Sequence, residues 1–168
     1  MIPAVDIDIA ESLAAQMERR GVGYGLGAKA PEHPFFRDPN APLGAIRRID
    51  CSGWVRLALY RATKGALLLP DGSQNQRAWC EAKAQAGELR AVEYHNAALY
   101  MTDKRLFIAF IKPHTNGCGS VGHVWLVSQI DGQVQTLESH GGTGVDSRAW
   151  NSRTLTREVF SCYELPTV

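Results

Sequence analysis

Polar and apolar positions in the first half of the chain recur at helical spacing. In residues 8–20, DIAESLAAQMERR, the residues Ile9, Leu13 and Met17 form one stripe, Asp8 and Glu11 read as a capping box, and Gly21 follows as a stop. The next stretch, GVGYGLGAKA, is a glycine-rich loop. Gly23, Gly25 and Ala28 can be set against a dinucleotide-binding turn, but that turn follows a strand and opens a helix, whereas this one follows a helix. Residues 31–48, rich in Pro, Asn, Asp and Phe, read as a long irregular loop. Residues 51–62, CSGWVRLALYRA, are apolar almost all round, as expected of a helix buried against a sheet. Residues 74–101 have helical composition and read as two helices broken near Gly87.

The pattern then changes. RLFIAFIK, GHVWLVSQ, GQVQTLES and TREVFSCYEL are β-branched and aromatic runs bounded by turn residues. Helices come first and strands later, with a tight Asp131-Gly132 turn joining two of the strands. That order predicts an α+β fold with an antiparallel sheet. The chain of 168 residues reads as one domain, without repeats.

Composition narrows the function. Lys plus Arg number 18 and Asp plus Glu 17, a net charge of +1, so no basic field points to nucleic acid or to an anionic membrane. The N-terminus has no signal-peptide pattern, and no apolar run approaches a membrane span. Synthesis in the cytoplasm is expected, with any role outside it needing another delivery route. The four cysteines, Cys51, Cys80, Cys118 and Cys162, form no CxxC pair and read as free thiols. Pairing among Cys80, Cys118 and Cys162 after export stays open.

Candidate chemistry centres on IDCSGWV, residues 49–55. Asp50 is a good N-cap, which makes Cys51 the first helical residue, where the helix dipole favours a thiolate. Small Ser52 and Gly53 leave the sulfur approachable. The plain alternative is a small buried hydrophobe, the commoner fate of a free cysteine. A nucleophile needs a base and a group to orient it. Of the five histidines, His33 and His95 read as surface residues, and His114 with Cys118 lacks further ligands for a metal. His123 opens one strand and His140 closes the next. Counting outward from a two-residue turn at Asp131-Gly132 sets them directly opposite, on one face. Glu138 shares that face and is the alternative if the register slips by two; Ser139 points the other way.

With Tyr24, DCSG, GHV and His140 together, the chain resembles the NlpC/p60 family of papain-like cysteine peptidases. The matching segments, YGLGAK, DCSGWV, GHVWLVS and LESHGGTGV, run in the family's order over roughly residues 20–145. The resemblance implies a papain-like fold with the nucleophile helix packed on a central antiparallel sheet. It implies Cys51 as nucleophile, His123 as general base and acid, His140 as orienting group and Tyr24 as oxyanion donor beside the Cys51 backbone N–H. Asp50 and Ser52 would hold a substrate amine. It further implies hydrolysis of amide bonds in bacterial peptidoglycan stem peptides, between D-glutamate and the diamino acid, with no metal or cofactor. Partners to expect are that substrate, a delivery machine such as a phage tail or secretion apparatus, and an inhibitor protein. Alternatives are a cytosolic wall-recycling role, a deamidase or acyltransferase toxin acting on a protein, and a catalytically silent wall-binding or tail module. Tyr24 and Cys51 lie 27 positions apart, and Cys51 and His123 lie 72 apart, both wider than the family pattern. The loop at 31–48 and a helical insertion near 66–104 would therefore border the cleft and shape substrate choice.

Overall fold

A computed structural model describes residues 1–93, 104–113, 122–149 and 159–168. Helix α1 spans Ile7–Arg19, a short 3-10 turn Leu43–Ala45, α2 Cys51–Ala62 and α3 Ser73–Gln85. Six strands follow: β1 Arg90–Ala91, β2 Leu106–Ile111, β3 His123–Ile130, β4 Gln133–His140, β5 Gly144–Ala149 and β6 Val159–Leu165. They form one sheet in the order β1-β6-β2-β3-β4-β5, every neighbouring pair antiparallel. The α+β class expected from the order of patterns is the class observed.

Helix α1 begins at Ile7, with Asp6 as N-cap accepting the Ile9 N–H. The expected Asp8–Glu11 capping box does not form. Glu11 turns instead to the buried hydroxyl of Ser128 on β3, and burial raises its carboxyl despite that hydrogen bond. Gly21, at φ +66°, ends the helix in the left-handed region that glycine enters without strain. Past α3 the reading fails in part. Gly87 breaks the helix at φ +73°, but Arg90–Ala91 pairs with β6 as a strand rather than opening a second helix. The rest of that expected helix, with His95, and the His114–Cys118 turn lie outside the described residues.

Helix α2 is the centre of the molecule. Every residue in it except Arg56 and Arg61 is buried. It packs on Val124, Leu126 and Leu137 of the sheet, with α1 alongside. The two arginines fasten the 31–48 segment to it. Arg56 pairs with Glu32 at 2.7 Å and lies over the Phe36 ring, while Arg61 donates to the Ala41 carbonyl at 2.7 Å. Phe35, Phe36, Ala41, Leu43 and Ile46 enter the core beside α2. The segment is thus structural, because its spaced apolar residues cover the outward side of a helix that is apolar all round. Among the described residues, no helix is long and apolar enough to cross a membrane.

Candidate active site

Asp50 caps α2 as expected: its Oδ1 accepts the Gly53 N–H at 2.7 Å, and Cys51 is the first residue of the helix. The segment leading into it is fixed by the glycine-rich loop. Ile49 N–H donates to the Gly23 carbonyl at 3.0 Å and Asp50 N–H to the Ala28 carbonyl at 2.7 Å. Half-buried Tyr24 directly follows Gly23, so its backbone runs beside the approach to Cys51. Ser139 on β4 closes the same corner by donating to the Ile49 carbonyl at 2.7 Å.

His123, at the start of β3, lies between Cys51 and Glu138 and is hydrogen-bonded to both side chains. Its Nε2 is 2.8 Å from Glu138 Oε2, which leaves Nδ1 for Cys51. Stacking on Trp125, with ring centroids 5.4 Å apart, holds the imidazole in plane. Burial alone would push the His123 pKa down. The contacts with Cys51 and Glu138 outweigh burial and raise it to about 9. Burial likewise pushes Glu138 up, but His123, His140 and Thr136 together hold its carboxyl below the ordinary value. The arrangement sets an imidazole between a thiol and a carboxylate, which can carry a proton from the sulfur to a leaving group.

The partner of His123 differs from the first expectation. The turn is the one foreseen, with Asp131 at φ +50° and Gly132 at φ +76°. The pairing it sets runs from Ile130 opposite Gln133 to Leu126 opposite Leu137, the register counted from the sequence. There the pairing stops. The Leu137 carbonyl accepts the buried Trp54 indole N–H of α2 at 3.1 Å, so the nucleophile helix takes a group from β4 at the point where the two strands part. Extrapolating the register to His123 and His140 therefore fails, and Glu138, the alternative on the same face, makes the contact.

His140 belongs to a neighbouring network. Its Nδ1 lies 3.0 Å from Arg148 Nη2 and 2.9 Å from the Gly141 carbonyl, and its Nε2 lies 3.0 Å from Asp146 Oδ1. Thr143 Oγ1 donates to Asp146 at 2.9 Å, and Arg148 Nε donates to the same carboxylate at 3.1 Å. Glu138, His140 and Asp146 offer ligand atoms within 4.8 Å of one another. A metal ion there would have to displace the Arg148 guanidinium and compete with His123 for Glu138, so the set does not read as a metal centre.

Asp50 and Ser52 are brought beside Cys51, but both are already engaged. Lys29 Nζ lies 2.5 Å from Asp50 Oδ2 and 2.5 Å from Ser52 Oγ. Lys29, Asp146 and Arg148 were missed in the sequence, where no motif or spacing marks them. Cys51, Cys80 and Cys162 are free thiols. Burial pushes Cys80 well above the range of a reactive thiol and Cys162 up to about 12. No family model matches the chain, and no curated protein matches it significantly.

Proposed function

We propose that the protein is a cysteine hydrolase of the NlpC/p60 type, with a papain-like fold, that cleaves amide bonds in bacterial peptidoglycan stem peptides. The observation that carries the reading is His123 held between the helix-initiating Cys51 and the carboxylate of Glu138. The ordered matches around Tyr24, Cys51 and His123 supply the substrate class.

The Cys51 sulfur attacks the scissile carbonyl carbon, with the thiol proton held on His123 Nδ1. The carbonyl π-bond becomes a tetrahedral oxyanion, taken up by the Cys51 backbone N–H and the Tyr24 hydroxyl. His123 then protonates the leaving nitrogen as the C–N bond breaks, which leaves a thioester on Cys51. Water, deprotonated by His123, attacks the thioester carbonyl; the C–S bond breaks, the acyl group leaves as a carboxylic acid, and the sulfur takes the proton back from His123. Glu138, in the role first given to His140, orients His123 and stabilises its charged form. Action on the wall after delivery by a phage or secretion apparatus belongs to the same proposal.

Purified peptidoglycan incubated with the protein and with Cys51→Ala, with fragments read by mass spectrometry, tests the reading. Cleavage at the D-glutamyl–diamino acid bond by the wild type alone is the expected result. Binding without cleavage by either form would make the protein a silent wall-binding module. Neither binding nor cleavage would turn attention to a protein substrate.

A further inference from the structure

The first turn of α2 carries a second cluster that the hydrolytic steps do not use. The Lys29 ammonium contacts Asp50 Oδ1 at 2.7 Å and Oδ2 at 2.5 Å, Ser52 Oγ at 2.5 Å and Asp71 Oδ1 at 3.3 Å. Asp50 and Ser52 flank Cys51 in the chain, so this cluster sits at the same helix N-terminus as the nucleophile. Lys29 is anchored along its length. The carbonyl of the preceding Ala28 accepts the Asp50 N–H, and its stem crosses the helix at Gly53, where an added Cβ would stand 3.1 Å from Lys29 Cδ. Its side chain is 27% exposed and that of Asp50 only 6%. Removing one member of so shielded a pair leaves an uncompensated charge, so the lysine is not readily displaced.

Two carboxylates and a hydroxyl converging beside a nucleophile suit an ammonium group, and here the chain supplies its own. We propose that Lys29 is a specificity-determining residue: its ammonium fills the Asp50–Ser52–Asp71 cradle, and the substrate presented to Cys51 therefore carries an acylated, uncharged nitrogen at that position instead of a free amine. A substrate ammonium would have to expel Lys29 or sit against it, and like charges at such separations repel strongly where solvent is partly excluded. For a wall peptide this means a stem whose N-terminus is still in amide linkage. The substrate side of this inference rests on the hydrolase reading; the occupancy of the cradle does not.

Three measurements separate the two. With limiting acetyl N-hydroxysuccinimide ester and peptide mapping, Lys29 should label at least about tenfold more slowly than exposed Lys64; equal labelling overturns the inference. This arm uses the wild type and needs no variant to fold. In Lys29→Ala, the lowered Tm should be raised by propylammonium chloride and not by sodium chloride or propanol, with no such rise in the wild type. A folded variant that propylammonium does not stabilise overturns it. Finally, the wild type should cleave an N-acetylated stem peptide with at least about tenfold higher kcat/KM than the free-amine form, and Lys29→Ala should narrow or invert that ratio. Preference of the wild type for the free amine overturns the inference, whereas cleavage of neither peptide defeats the hydrolase reading and leaves the first two arms to decide the cradle.

Discussion

At the scale of single residues, His123 holds the chemistry together, and its environment makes definite demands. Glu138→Gln keeps the shape and removes the charge that favours a protonated imidazole. Turnover should fall by about 10²–10⁴-fold, the usual contribution of general acid–base catalysis by a positioned side chain, while His140→Ala should cost less than about tenfold. The larger loss in His140→Ala would return the orienting role to that residue. Tyr24→Phe should reduce kcat by about 10²-fold if its hydroxyl receives the oxyanion. The pH dependence has a worked sign. The His123 pKa is raised in the folded state from 6.5 to about 9, so its charge stabilises the fold fully below 6.5, and that contribution is lost as pH rises through 9. Glu138 is lowered from 4.5, so its contribution is present above 4.5 and is lost as pH falls through the folded value. The alkaline limb of kcat/KM should lie near pH 9 and move down in Glu138→Gln, which a pH–rate series reads directly.

Elements carry the site through a few close approaches. Strand β5 opens at Gly144, φ +83°, where a Cβ would stand 2.2 Å from the Val22 carbonyl oxygen and 2.6 Å from Gly23 Cα. That contact, with the Val145 N–H donated to Val22 at 3.1 Å, ties the edge of the sheet to the loop bearing Tyr24. Gly142 also has a positive φ, +97°, but faces open space. Gly144→Ala should therefore cost about 1–3 kcal/mol more than Gly142→Ala, the usual price of forcing atoms into a filled space. Thermal unfolding of the two variants measures the difference, and equal losses would show that the backbone approach is slack. The β3–β4 hairpin was legible because Asp-Gly fixes a two-residue turn, whereas β5, with Gly, Asp, Ser and Arg among its six residues, has no strand-forming pattern and exists because β4 offers it an edge.

For the whole molecule, the 31–48 segment decides how α2 is enclosed. Phe35, only 2% exposed, should cost about 3–5 kcal/mol when cut to Ala, a fall in Tm on the order of 10 °C for a chain of this size. Substrate preference changing without loss of stability would return the segment to the role of a cleft wall. Its irregular backbone and prolines look like a surface loop locally; only the exposed outer side of an all-apolar helix shows what it must cover. The sequence by itself determined the class, the α2 boundaries and the Asp-Gly hairpin, since caps, period-two alternation and turn residues act within a few positions of themselves. It also determined that Cys51, His123 and a group on the His140 face of β4 were the residues to watch. The tertiary structure decided which group that is. Trp54 takes the Leu137 carbonyl and the strand pairing ends there, so Glu138 meets His123 while Arg148 and Asp146 hold His140. It likewise decided that Lys29 reaches Asp50 from 21 positions away. Both outcomes depend on side chains from distant parts of the chain competing for the same polar atoms, and local periodicity carries no record of that competition.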